Sequence, residues 1–151
     1  MQRTLVIFKP DTLQRSLVGK LIERFEDKGF IIQGCKMMSL SEEILKEHYA
    51  HIADKPFFPD VLRFMRSTPV VVLCLAADSD TAEQVRKILG ATNCRKAENG
   101  TIRSDFGNSI GYNLVHASDS PETADVEIQR FFKADELFDW KPALYGYVYE
   151  N

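Results

Sequence analysis

His116 closes a short apolar run, Leu114-Val115, immediately ahead of Ser118-Asp119-Ser120-Pro121. A Ser-Pro pair is a strong helix start, the serine capping and the proline taking the first turn. The imidazole therefore stands at a strand end beside a helix N-terminus, where anions and reactive groups gather. In the helix that follows, Ala124, Glu127, Ile128 and Phe131 fall at helical spacing on one stripe. Glu127 thus lies among apolar residues, and a carboxylate there needs a partner. An imidazole from the adjoining strand would serve, because a carboxylate on one ring nitrogen fixes the tautomer and leaves the other nitrogen free to attack. By position alone the pair also fits a structural histidine and a carboxylate at the stripe's edge reaching water.

Anion binding has to be built from side chains. Gly19-Lys20 lacks the upstream glycine and the Ser/Thr of a P-loop, and no Gly-x-Gly-x-x-Gly occurs. The candidates are Lys9 at the end of the first strand, Arg86 on a helix, Thr92 and Arg103 in a long irregular stretch, and Asn113 just before the last strand. Each alone also fits a solvated surface group. Phe57, Phe58 and Val61 surround Pro56 and Pro59; core packing is their simplest role, and a ring at a cleft mouth is the alternative, since aromatic rings stack on nucleobases without reading base identity. His48 and His51 share a helix, but no cysteine or carboxylate set completes a four-ligand metal pattern.

The elements that position these residues follow from periodicity. Thr4 to Phe8 is apolar on both alternating faces, the mark of a central strand, and Pro10 ends it. Asp11 and Gln14 resemble a capping box, and Leu13, Leu17, Leu21 and Phe25 predict one helix running to Gly29. Phe30 to Met38 reads as the second strand, Ser39 with Glu42 as the start of a helix through Tyr49, and a short helix follows Pro56. Val70 to Leu75 is a third buried strand, and Asp80 with Glu83 caps a helix that Gly90 closes. From Gly90 to Asn113 no period is sustained; unstructured stretches beyond about 15 residues are uncommon in compact domains and usually functional. Leu114-Val115 is a last strand and Glu122 to Phe132 a last helix. Phe138, Trp140, Tyr145, Tyr147 and Tyr149 make an aromatic tail that packs on the domain or on a neighbouring subunit.

Composition bounds the whole. The 151 residues, 44% hydrophobic and 27% charged, predict one domain spanning 1–151. A net charge of −3 argues against nucleic acid as a main partner and against a polybasic membrane contact. The longest apolar run, Val70 to Ala77, is too short to span a bilayer, which takes about 20 residues. With no signal-like N-terminus, and three cysteines without a Cys-x-x-Cys pair, the expectation is a cytoplasmic protein.

Five blocks in order carry a resemblance: TLVIFKPD, Pro56 to Phe58, Leu89-Gly-Ala-Thr-Asn93, Gly100 to Phe106 and, above all, Asn113 to Ser120. Over essentially its whole length the chain closely resembles nucleoside diphosphate kinases. The resemblance implies a ferredoxin-like βαββαβ fold, an α+β plan with a four-stranded antiparallel sheet covered by helices. The alternation of strands and helices alone is equally compatible with a parallel α/β sheet. It implies that His116 takes the γ-phosphoryl of ATP or another nucleoside triphosphate and passes it to a nucleoside diphosphate. Imidazoles, with an ordinary pKa of about 6.5, are mostly neutral at pH 7 and hence nucleophilic. By the same resemblance Tyr49, Arg86, Thr92 and Arg103 contact phosphates, with Mg²⁺ on the nucleotide and no metal held by protein ligands. Lys9 and Asn113 bind the sugar hydroxyl, Phe57 and Val61 flank the base, and Glu127 and Ser118 support the histidine. A stacked base explains broad nucleoside acceptance. The length and tail resemble members that form hexamers, with a tetramer or a dimer as alternatives. The chain departs from the common pattern at Ala76-Ala77-Asp78, Cys94, Asn99, Ser104 and Ala117, and its segment from Pro69 to Arg86 is one residue longer, which predicts a shifted helix entry near Arg86.

Overall fold

A computed structural model describes residues 1–150. Four strands, β1 (Gln2–Phe8), β2 (Ile31–Met38), β3 (Val70–Ala77) and β4 (Val115–Ala117), form one sheet in the order β2-β3-β1-β4 with every pairing antiparallel. β3 is apolar and buried throughout and β1 is buried from Thr4 to Phe8, and both faces of the sheet are covered. On one face Val6, Phe8, Leu73 and Leu75 pack against Leu21 and Phe25 of α2 (Val18–Asp27) and Val85 and Leu89 of α5 (Thr81–Leu89). On the other, Leu5, Ile7, Val72 and Cys74 pack against Leu45 of α3 (Glu42–His48), Met65 of α4 (Phe58–Met65) and Ala124, Ile128 and Phe131 of α7 (Pro121–Phe131). This is the expected βαββαβ order, with the α3–α4 pair inserted between β2 and β3.

Several local expectations are corrected. The helix expected from Leu13 to Phe25 is two helices, α1 (Pro10–Gln14) and α2, broken at Ser16, whose φ is 54°. Asp11 does not close a capping box; its Oδ2 accepts from the Leu114 backbone N–H at 3.0 Å. Ser41, not Ser39, caps α3 by accepting from Ile44 N–H. Asp80 precedes α5 in the left-handed region, φ 52°, with no side-chain cap. The aperiodic stretch contains a 3₁₀ turn at Cys94–Lys96 and a helix, α6 (Ile102–Phe106), too short to show a period. The last strand starts at Val115 rather than Leu114, so His116 is its central residue. The aromatic tail divides: Tyr149 donates to Gly29 O at 2.8 Å and Trp140 to Ile32 O at 3.0 Å, while Phe138 and Tyr147 are exposed.

Candidate active site

Strand register aims the histidine. In the β1–β4 pair His116 stands opposite Ile7, and directly opposed residues share a face of the sheet. Ile7 belongs to the layer covered by α3, α4 and α7, so the imidazole points at those helices, while its neighbours Val115 and Ala117 enter the opposite core. Just upstream, Leu114 is fully buried with φ 72° and closes a three-residue turn in which Val115 N–H donates to Asn113 O at 2.8 Å. Such turns are rare and strained. Here the start of the chain imposes the strain: Lys9 N–H and Thr12 Oγ1 donate to Leu114 O at 2.8 and 2.7 Å, and Asp11 accepts from Leu114 N–H. The clamp sets Lys9 beside Asn113, with Lys9 Nζ donating to Asn113 Oδ1 at 2.7 Å and Asn113 Nδ2 to Thr92 O at 3.2 Å.

Glu127 is the partner of His116. Its two carboxylate oxygens both lie 3.2 Å from His116 Nε2, and Ser118 Oγ donates to Oε2 at 2.6 Å while accepting from Leu5 N–H at 3.2 Å. Burial pushes the Glu127 carboxyl up, but the hydrogen bonds and charge of His116, with Ser118 and His48, outweigh it and leave the group below its ordinary pKa. An ionised carboxylate only accepts, so the His116 proton resides on Nε2. Nδ1, which makes no hydrogen bond among the described residues, keeps its lone pair.

His116 lines a cleft of about 730 Å³ together with Lys9, Tyr49, Arg86, Thr92, Arg103 and Asn113. Seven residues from five separate parts of the chain thus line one cleft. The site cations differ in their freedom. Arg103, buried, spends three N–H groups on the carbonyls of Gly90, Asn113 and Val115 at 2.9, 3.2 and 2.7 Å, and so staples the irregular stretch to β4. Burial lowers its pKa from the ordinary arginine value, with Arg86 adding to the effect and Cys94 opposing it. Arg86, in the last turn of α5, is exposed and ion-paired with Asp119, so the longer segment before it still delivers it to the cleft. Lys9 is lowered to about 8, by burial first and by Arg103 second, against the opposing pull of Asp11 and Cys94. Tyr49 is raised by burial and then by Glu127.

Phe57 and Val61 do not line this cleft. Phe57 precedes α4, half exposed, and Val61 packs against the α3–α4–α7 layer. Two residues that sequence reasoning leaves without a role do line it. His48 is not directed at His51: its ring meets that of His116 edge-on, centroids 4.4 Å apart, and Arg130 lies behind it. Position on the buried face of α3 was the available signal for His48; nothing in the pattern marks Arg130.

Comparison with known proteins places this geometry. The family model described as nucleoside diphosphate kinase matches residues 2–137. The chain is 51% identical over 141 residues to a nucleoside diphosphate kinase of Parabacteroides distasonis, covering 93% of this chain and 92% of that protein. It is 47% identical over 150 residues to that of Thermosynechococcus vestitus, covering 99% of each. Among solved structures, a nucleoside diphosphate kinase from Halobacterium salinarum in complex with CDP superposes with a TM-score of 0.95 at 43% identity, covering 99% of both chains. A family protein from Babesia bovis superposes at 0.94 with 34% identity, covering 99% of this chain and 100% of that one. By sequence and by fold the chain belongs to the nucleoside diphosphate kinase family, and it is a phosphotransferase that binds nucleotides.

Proposed function

We propose that the protein transfers the γ-phosphoryl of a nucleoside triphosphate to a nucleoside diphosphate in two half-reactions through a phosphohistidine on His116. One observation carries this reading: His116 is held by Glu127 at Nε2, leaving Nδ1 free, in a cleft lined by the four cations Lys9, Arg86, Arg103 and Arg130. The Nδ1 lone pair attacks the γ-phosphorus, the bond to the β,γ-bridging oxygen breaks, and the diphosphate leaves with that electron pair. The ring gains positive charge as the N–P bond forms, and Glu127 offsets it; the terminal oxygen of a second diphosphate then reverses the step. Phosphoryl transfer chiefly needs alignment and charge cancellation, which Arg86, Arg103, Thr92 and Tyr49 supply on the phosphates, while Lys9 and Asn113 bind the sugar hydroxyl.

Phe57 stacks on one face of the base and Val61 meets the other, and stacking without hydrogen-bond readout accepts purines and pyrimidines alike. The donor set suits Mg²⁺ arriving on the phosphates: Glu127 is engaged by His116 and Ser118, which leaves Asp119 and Glu122 as rim carboxylates. Mg²⁺ carried on the nucleotide would supply charge neutralisation of the phosphate oxygens. Residues 1–151 are read as one domain. Exposed Met37, Phe138, Leu144, Tyr147 and Val148 support a homo-oligomer, a hexamer or alternatively a tetramer. The unpaired thiols Cys35, Cys74 and Cys94 support a cytoplasmic location; no helix among the described residues is long and apolar enough to cross a membrane.

Incubation with γ-labelled ATP and no acceptor tests the mechanism. The expected result is acid-labile, alkali-stable label that is absent in His116→Ala and chases onto GDP or dCDP. Label that persists in His116→Ala would remove the mechanism.

A further inference from the structure

His48 is a buried titratable group that the reaction above does not use. Its side chain is 1% exposed, and its ring is packed edge-on against His116, Tyr49 and Phe131. Two groups compete for Nδ1: Arg130 Nη1 at 3.4 Å and Glu127 Oε1 at 3.5 Å. Guanidinium only donates and an ionised carboxylate only accepts, so the two demands are mutually exclusive. If Nδ1 carries the proton, His48 donates to the same Oε1 that His116 uses. If Nδ1 is bare, Arg130 is satisfied and Glu127 is left to His116 and Ser118. The charged groups facing His48 are His116, Glu127, Arg130 and His51; burial first, then His116, Arg130 and His51, against the opposing pull of Glu127, lower its pKa to about 3, so it is neutral and must choose one tautomer. Arg130 is itself only 12% exposed in its side chain and is fixed from behind, its Nε 2.9 Å from Glu47 Oε1.

We propose that Arg130 is a positioning residue for the nucleophile: by donating to His48 Nδ1 it places the His48 proton on Nε2 and so reserves Glu127 Oε1 for His116. The cost is an Nε2 that has no partner in its buried site. Among the described residues Arg130 makes no hydrogen bond or ion pair with His116 or Glu127; it acts through His48. The consequence for catalysis rests on the phosphohistidine reading, whereas the tautomer assignment does not.

The test is ¹⁵N NMR of histidine-labelled protein without nucleotide, joined to single-turnover phosphorylation by labelled ATP. In the wild type, His48 should show a pyridine-like Nδ1 with a pyrrole-like Nε2, and His116 the same pattern. In Arg130→Met the His48 proton should move to Nδ1 and the His116 nitrogens should shift as Glu127 is shared. The phosphorylation rate should fall about tenfold, by analogy with loss of the partner behind a metal-ligating imidazole, and by more than any fall in ADP affinity, since Arg130 also lines the cleft. Arg130→Lys should restore both the shifts and the rate, which a purely structural loss would not. A protonated Nδ1 on His48 in the wild type, or an Arg130→Met protein with both histidines unmoved, overturns the proposal. Wild-type protein that takes no label overturns the phosphohistidine reading instead, and the tautomers still decide the role of Arg130.

Discussion

The Nε2 of His116 lies 3.2 Å from both carboxylate oxygens of Glu127, a symmetric contact from helix α7 to strand β4. It fixes both the ring orientation and the tautomer, because a ring flip would put Cε1 in place of Nε2 at the carboxylate, lose both contacts and turn Nδ1, the proposed nucleophile, to the opposite side of the ring. Glu127→Gln keeps an acceptor and the shape but loses the charge that, in the proposed mechanism, offsets the developing imidazolium; Glu127→Ala loses both. We expect the phosphorylation rate to fall about 10-fold in the first and about 100-fold in the second, by analogy with the range for partners behind a metal-ligating histidine. Nucleotide Kd should stay within about twofold. Rapid-quench labelling alongside calorimetry measures the two separately, and equal loss in rate and affinity would show that Glu127 holds the nucleotide itself.

Lys9, placed in the cleft by the proposed function, should make nucleotide binding pH-dependent. Its pKa is lowered to about 8 by burial and then by Arg103, with Asp11 and Cys94 acting the other way. Bound polyphosphate favours the charged form, so ADP affinity should be full below pH 8 and should fall as pH rises through it. Binding above that pH should take up a proton. Calorimetry at pH 7 and 9 in two buffers of different ionisation heat reads both effects. Lys9→Met should bind weakly at both pH values with no uptake; a wild-type Kd that is flat over this interval would refute the assignment.

His48 links stability to acid. Burial, reinforced by His116 and Arg130 and opposed by Glu127, lowers it to about 3, whereas in the unfolded chain histidine titrates near 6.5. Between these values the unfolded chain binds the extra proton. The contribution of neutral His48 is therefore complete above about pH 6.5 and is lost as pH falls. His48→Phe retains ring packing against Tyr49 and Phe131, now centred 4.7 and 5.1 Å away, and removes the titration. Between pH 7 and pH 5 the variant should lose about 2 kcal/mol less stability than the wild type. Urea unfolding at both pH values decides it; parallel losses would mean that His48 is charged in the folded protein.

The parts of this site written in local pattern were legible and the parts written in tertiary contact were not. Glu127 announced itself because a carboxylate on an apolar stripe breaks a local rule. The break at Ser16 was hidden because α1 and α2 turn apolar residues to the same core, so the four-residue period of Leu13, Leu17, Leu21 and Phe25 continues across it. The left-handed Leu114 could not be read from a leucine: the clamp comes from residues about a hundred positions earlier, as in the Thr12 Oγ1 bond to its carbonyl. His48 and Arg130, 82 positions apart, meet only once the sheet stacks α3 on α7.

Gly107 follows α6 with an ordinary φ of −98°, so the need for glycine there is one of space. A Cβ would overlap Cys94 Sγ and stand 2.9 Å from both Cys94 Cβ and the Arg103 carbonyl oxygen. Cys94 is buried in the 3₁₀ turn that follows Thr92, and Arg103 is the staple of the same stretch. Gly107→Ala must therefore push the turn away from α6 or tilt α6 itself, and overpacking of this kind costs about 1–3 kcal/mol. Cys94→Ala removes the sulfur at the expense of a small cavity, and in the double variant the alanine at 107 can use that space. The double variant should be less destabilised than the sum of the singles, a coupling of about 1 kcal/mol. Denaturant unfolding of the four proteins completes the cycle, and strict additivity would mean that the clash at Arg103 O, rather than the sulfur, forbids a side chain at 107.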